Sequence, residues 1–333
     1  MTKPTTEPKD PSSPVAAGRA GDTPATSGAT VSPATEGASS SAKVITSQHH
    51  SNAGGTPAPV PPAERPDVVV FNHVCKQFGH GPETKVALKD LSFIVEDAPD
   101  IGELVTIVGP SGCGKSTLLR MIAGLKPHFP PTSGEVLIFG KPVREPGPDR
   151  GLVDQRYSLL PHLNVIENVA FGLKLQGVSR ADRHARAADW VKKVGLEGSE
   201  KKFPSELSGG MQQRVAIAAT LILQPRILLM DEPFGALDPG IRLRMQELLI
   251  QLWKEREETV FLVTHSVEEA VYLGDRVFLM AADPGRLVEV LKVPRPDEPP
   301  ELSRRKPWFI DFCQTLLRRL EEETPTSSGV HLK

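Results

Sequence analysis

From Val68 onward, short aliphatic and β-branched runs alternate with longer stretches whose apolar positions recur every three or four residues. An apolar run of four to eight residues between turn residues reads as a buried strand, and the three-to-four spacing reads as an amphipathic helix. The pattern predicts strands at 68–71, 104–108, 136–139, 151–154, 227–231, 260–264 and 277–281. It predicts helices over 115–125, 180–194, 209–223, 240–257 and 266–273. Strands that alternate with helices imply an α/β fold, with a mostly parallel sheet covered on both faces. The stretch from 68 to about 93 instead has the hairpin spacing of an antiparallel β-subdomain. Residues of about 160–205 are strand-poor and predict a helical subdomain. A last amphipathic helix at 308–323 sets Phe309, Phe312, Leu316, Leu317 and Leu320 at helical spacing, as in a helix that packs a stripe on its parent domain.

Residues 1–66 lack this periodicity. They hold 11 of the 32 prolines, no aromatic residue and no leucine, and are rich in Ser, Thr and Ala. Such a segment cannot bury enough apolar surface to offset its ordering entropy and predicts a disordered extension. The expected organisation is that extension, an α/β domain over 67–295, and a C-terminal extension over 296–333.

Composition excludes several classes. The net charge of -2 gives no electrostatic case for a nucleic-acid partner. Cys75, Cys113 and Cys313 are too dispersed for a disulfide framework or a CxxC metal site. The longest apolar runs are strand-sized, short of the roughly 18 to 20 residues that span a bilayer. The N-terminus lacks the layout of a secretory signal. If the protein works at a membrane, other chains are expected to cross it.

Candidate chemistry begins at Gly109-Pro110-Ser111-Gly112-Cys113-Gly114-Lys115-Ser116, with Thr117 following. This is G-x-x-x-x-G-K-[ST], placed between a predicted strand and a predicted helix, which is the context a P-loop requires. Its glycines let backbone N–H groups turn toward phosphates at a helix N-terminus. Lys115 would reach the β- and γ-phosphates of ATP, and the Ser116 hydroxyl would ligate Mg²⁺. The strand at 227–231 ends in Asp231 and Glu232. There Asp231 would hold Mg²⁺, directly or through water, and Glu232 would polarise the attacking water, since phosphoryl transfer needs positioning and charge neutralisation. A third segment, Leu207-Ser208-Gly209-Gly210-Met211-Gln212-Gln213-Arg214, caps a helix with serine and opens it with two glycines. Free N–H groups there make a second anion site. One chain has no need of two γ-phosphate sites unless one serves a neighbour.

Over about 68–291 the chain resembles the ATPase subunits of ABC transporters, with the motifs in that family's order. The segment 207–214 is similar to the ABC signature, 109–117 to the family's P-loop, and 231–238 to its catalytic-carboxylate segment and D-loop. Thr264-His265 resembles the switch histidine, Gln155 the Q-loop glutamine, and Phe78 the aromatic that stacks on adenine. The resemblance implies a P-loop NTPase fold and a head-to-tail homodimer. ATP would lie between one P-loop and the partner copy's Ser208, Gly209 and Gly210, with Asp238 linking the sites. It implies that His265 contacts the γ-phosphate and holds the water. Gln155 would sense Mg²⁺ and move with a membrane subunit. Asp154 stands where an aromatic is frequent, and His162 where related importers often have Trp.

The phrases 231–238, 264–277 and 283–286 look most like the ATPases of nitrate, sulfonate and taurine importers. That resemblance implies two integral membrane permease subunits, an extracytoplasmic solute-binding protein, and a place on the cytoplasmic face of the inner membrane. The alternative is a soluble, non-transport ABC-type ATPase. Repair and cohesion ATPases of that kind carry a long coiled coil between P-loop and signature, and the interval from Lys115 to Ser208 has no room for one.

Overall fold

The computed structural model describes residues 65–79, 81–97, 102–155, 158–254, 258–294 and 300–323. The expectations for 1–64, 295–299 and 324–333, and for the last turn of the helix at 240–257, lie outside the described residues.

The hairpin β1 (Val69–Phe78) and β2 (Lys85–Val95) opens the domain, and β3 (Leu104–Val108) leads through the glycine-rich loop into α1 (Lys115–Ile122). Three strands follow, β4 (Ser133–Ile138), β5 (Lys141–Pro142) and β6 (Arg150–Val153), then α2 (Val165–Leu175), α3 (Arg180–Lys193) and α4 (Gly209–Leu221). The alternating half comprises β7 (Ile227–Asp231), α5 (Pro239–Lys254), β8 (Thr259–Val263), α6 (Val267–Leu273), β9 (Arg276–Ala281) and β10 (Arg286–Lys292). A short α7 (Pro300–Ser303) and α8 (Pro307–Glu323) close the described chain.

The central sheet runs β10-β9-β3-β8-β7-β6, parallel except for β10. Its inner strands β3, β7 and β8 are buried at every position, as expected where helices or another sheet cover both faces. Side chains alternate across it. Val105, Ile107, Leu229, Phe261 and Phe278 pack with α1 and the antiparallel sheet β2-β1-β4-β5, while Leu104, Leu228, Met230, Leu262 and Leu279 pack with the helices. Burying each such side chain contributes about 1.5–3 kcal/mol.

The structure differs from the periodicity at identifiable points. The strand expected at 68–71 continues to Phe78, past the polar Asn72 and His73, because β2 and β4 pair with its two edges and register shifts absorb the break. The helix expected at 115–125 stops at Ile122, where Gly124 takes φ 74°. Left-handed glycine just past a helix end is a common stop. β10 was absent from the predicted strands: Glu289 interrupts its aliphatic residues, and half-buried positions alternate with exposed ones along the edge. On α8 the buried stripe is Phe309, Cys313 and Leu316, and Leu317 faces outward.

Candidate active site

Four adjacent strands of the parallel sheet, β3, β8, β7 and β6, end at one edge and deliver one motif each. Ligands of open α/β sheets gather at the carboxyl ends of strands. Here those ends carry the P-loop, Thr264-His265, Asp231-Glu232 and Asp154-Gln155.

The P-loop closes around Lys115. Lys115 is 5% exposed, and its ammonium donates to the carbonyls of Gly109 at 2.8 Å and Pro110 at 3.1 Å. Gly112 and Gly114 adopt φ 83° and 93°, and a Cβ on Gly114 would stand 2.5 Å from Leu88 Cδ2 and 2.9 Å from the Ala87 carbonyl. Glycine therefore supplies both the left-handed backbone and the close approach to β2. Gly114 is the N-cap of α1 and offers it no side-chain cap, which leaves the first N–H groups of the helix for an anion. Ser111 and Gly112 form the exposed lip, and Thr117 is buried behind it.

Cys113 lies inside the same loop, fully buried, with Sγ 3.8 Å from Lys115 Nζ. Burial pushes its thiol up, and the Lys115 charge opposes that only in part. Because the thiolate is the nucleophile, maleimide at neutral pH is expected to modify Cys113 at least about tenfold more slowly than the half-exposed Cys75. ATP should slow it further, and a molecule fully modified at Cys113 should not bind nucleotide. Peptide mass spectrometry over a labelling time course checks this; equal rates at the two thiols would contradict it.

Asp231 is 1% exposed. Ser116 Oγ donates to its Oδ1 at 3.0 Å, while Oδ2 is buried without a hydrogen bond and stands 3.5 Å from the Arg120 guanidinium. Burial raises its pKa, against the Ser116 hydroxyl and the Arg120 charge. A buried carboxylate oxygen with no donor, beside a serine hydroxyl, is the kind of oxygen pair a hard divalent cation takes. The residues present fit Mg²⁺.

Glu232 follows at φ 51°, a left-handed conformation that costs a non-glycine residue of order 1–3 kcal/mol and persists where the surroundings over-determine it. Its amide donates to the Val263 carbonyl at 3.0 Å. One carboxylate oxygen accepts from His265 Nε2 at 2.6 Å and the other from Gln155 Nε2 at 3.1 Å. Three side chains from three strand ends thus meet at one carboxylate.

Phe78 lies half-buried at the end of β1, with the His128 ring edge-on at 5.4 Å and Lys76 Nζ 5.2 Å from its centre. Ser208 caps α4 by accepting from the Met211 amide at 3.3 Å, and it is exposed along with Gly209 and Asp238, while Gly210 is half-buried. Among the described residues, no hydrogen bond joins Ser208, Gly209, Gly210 or Asp238 to the P-loop of the same chain. The site splits accordingly into one assembled group and one outward-facing group.

The family model for ABC transporters matches residues 88–235. An uncharacterised ABC transporter ATP-binding protein of Methanocaldococcus jannaschii is 50% identical over 66% of this chain and 80% of its own length. The chain belongs to the ABC transporter ATP-binding proteins. Taurine import ATP-binding proteins are similar too. That of Burkholderia pseudomallei is 49% identical over 67% of this ATPase and 86% of its own length, and that of Escherichia coli 44% over 76% and 97%. An ATP-binding cassette solved as a dimer in a post-hydrolysis state with ADP and Pi superposes with a TM-score of 0.61 at 34% identity, over 68% of this chain and 99% of that one.

Several residues around the ATPase's site escaped motif reading. Arg120 also donates to Asp154, at 3.2 and 3.3 Å, and so ties the Q-loop to Asp231. Its signal was the four-residue spacing from Ser116 on α1, which places both on one helix face. Asp154, unusual for lacking an aromatic ring, is the partner of that arginine. Gln213 of the signature helix donates to the Glu232 carbonyl at 3.1 Å and accepts from the Ala236 amide at 3.3 Å. It lies within the segment 207–214, where only the serine cap and the two glycines carried a reading.

Proposed function

We propose that this ATPase drives an importer for small anionic or zwitterionic solutes of the nitrate, sulfonate and taurine kind, hydrolysing ATP between two head-to-tail copies of itself. The observation that carries the reading is the split site. Lys115, Asp231, Glu232, His265 and Gln155 converge on one edge, whereas Ser208, Gly209 and Asp238 face solvent in the same chain. An exposed helix start with free N–H groups suits the γ-phosphate held by a second copy. The relatives named for taurine import and the solved dimer support the same assembly.

In this scheme Gly109 and Pro110 shape the loop, and Ser111, Gly112, Cys113 and Gly114 wrap the phosphates with backbone N–H groups. Lys115 leaves its carbonyl partners for the β- and γ-phosphate oxygens. Phe78 stacks on adenine. Ser116 and Asp231, with the Gln155 amide oxygen, would hold Mg²⁺, which when bound neutralises charge on the phosphates. Glu232 accepts a hydrogen bond from the attacking water, and His265 shifts from Glu232 to the γ-phosphate. Asp238 contacts the other copy. Such a site supplies positioning and charge neutralisation, the two demands of phosphoryl transfer.

Among the described residues no helix is long and apolar enough to cross a membrane. Two permease subunits would supply the crossing, with an extracytoplasmic solute-binding protein delivering cargo and this subunit on the cytoplasmic face of the inner membrane. Neither site nor cargo calls for nucleic acid. The experiment is co-expression with the permease genes that neighbour this one, followed by reconstitution. Taurine, alkanesulfonates or nitrate, presented with the binding protein, are expected to stimulate ATP hydrolysis several-fold. Stimulation by a sugar or a lipid instead would sink the cargo reading. Failure of any membrane protein to co-purify would favour a soluble ATPase.

A further inference from the structure

The threonine before His265 begins a line of buried hydrogen bonds that ends in the C-terminal segment. Thr264 Oγ1 accepts from the Ser266 amide at 3.1 Å and its hydroxyl donates to Glu269. One hydroxyl therefore pins the backbone that carries the histidine. Glu269, 7% exposed, takes a second donor, Gln246 Nε2, at 2.6 Å. Gln246, 2% exposed, offers its carbonyl oxygen to Arg304 Nη2 at 2.7 Å.

The directions in this line follow from its two ends. An arginine only donates, so the Gln246 amide has one orientation and its NH2 faces Glu269; toward the ionised carboxylate the Thr264 hydroxyl has one proton position. The Arg304 guanidinium also lies 3.8 Å from the centre of the Tyr272 ring on α6. It thus touches both the helix that follows the D-loop, α5, and the helix that follows His265. α8 packs on α6, and its Phe309, Cys313 and Leu316 share one buried cluster with Ala270, Val271 and Leu273, which fixes the segment.

Burying the Glu269 carboxylate beside a half-buried guanidinium is a poor route to stability, because hydrophobic replacements of similar volume do as well or better. What such a hydrogen-bonded line does well is select one arrangement, even though Arg304 Nε itself lies buried without a hydrogen-bond partner. Burial raises the Glu269 pKa, and the two donors and the charges of Arg242 and Arg304 oppose it. The arrangement selected here is the one that sets His265 2.6 Å from Glu232.

We propose that Arg304 is a positioning residue for His265, holding the histidine in register with Glu232 through Gln246, Glu269 and Thr264. This rests on the reading of His265 as the switch histidine, and the test separates the two.

Steady-state Mg-ATP hydrolysis is measured on the full chain, normalised to nucleotide-binding molecules by titration with a fluorescent ATP analogue. R304A is expected to lower kcat about five- to tenfold with KM for ATP within about twofold, the pattern of an interaction that matters only in the transition state. R304K, which keeps a donor for Gln246, should recover most of the loss. T264V should lower kcat similarly, and adding R304A to it should cost less than about twofold, because both act through one line of contacts. The same loss from R304A in both backgrounds, or a KM that rises in step with the fall in kcat, overturns the proposal. Unchanged kcat in R304A with an impaired H265A overturns the positioning alone, and unchanged kcat in H265A overturns the switch reading with it. Should R304A not fold, R304M carries the same cycle, since it keeps the chain length but offers Gln246 no donor.

Discussion

Glu232→Gln is expected to lower kcat for ATP by about 10² to 10³, the range lost with a positioned general base, while ATP affinity stays within about threefold. The residues expected to bind nucleotide, Lys115, Ser116, Phe78 and the P-loop amides, make none of their present contacts through Glu232. Glutamine has the same length and meets the same backbone demand at φ 51°. What changes is the chemistry at the head group. The carboxylate accepts from both His265 Nε2 and Gln155 Nε2, and an amide has a single acceptor oxygen. One of those two contacts must reverse its direction or break, and no ionised oxygen remains to polarise water. With hydrolysis blocked and binding intact, the closed dimer should accumulate. Size-exclusion chromatography in Mg-ATP should show a persistent dimer for the variant and a transient one for the wild type. Wild-type turnover by the variant would remove Glu232 from the proposed mechanism.

The same carboxylate shows what the sequence makes legible and what it does not. The apolar runs of β3, β7 and β8 name strands buried on both faces, and each stops where its functional residues begin. Local pattern suffices there because the chemistry sits at the end of the element. The α/β class, the mostly parallel sheet and the antiparallel subdomain follow from the same periodicities. Partners at long range are another matter. Nothing in the spacing pairs Arg120 with Asp154 and Asp231, Gln213 with the Glu232 carbonyl, or Arg304 with Gln246. Those contacts depend on how helices lie across the sheet, and a polar residue on a helix face looks the same whether it meets water or a buried partner. β10 escaped for another reason: Glu289 splits its Leu and Val residues into two pairs, and the edge strand is held by backbone pairing with β9.

Gly285→Ala is expected to weaken ATP binding about 10- to 100-fold, although the residue lies far along the chain from the P-loop motif. The turn 283–286 first serves as a mark of the importer branch; the structure gives its glycine a physical duty. Gly285 sits between β9 and β10, bridges to Leu88 of β2, and accepts from the Lys89 amide at 2.8 Å. A Cβ there would lie well inside 3.0 Å of the carbonyl oxygens of Ala87 and Cys113, a separation that real Cβ atoms essentially never show. Its φ is not left-handed, so alanine meets no backbone penalty of its own and the conflict is steric. Both obstacles are main-chain atoms, which cannot rotate aside as a side chain can. Either β2 or the P-loop must move, and Gly114 already packs against Ala87 and Leu88, so displacing β2 also displaces the loop. A shift of about 1 Å in groups that must point at phosphate is enough to cost the stated factor. Forced overpacking of this kind should also reduce stability by about 1–3 kcal/mol. Gly240→Ala is the internal comparison: its Cβ would meet nothing within 4 Å, near the start of an α-helix where alanine is the better former. It should leave nucleotide affinity unchanged and stability equal or slightly raised. Calorimetric titration with Mg-ATP and thermal melts of both variants decide the matter, and a Gly285→Ala protein that binds like Gly240→Ala would show that the turn merely neighbours the phosphate loop without supporting it.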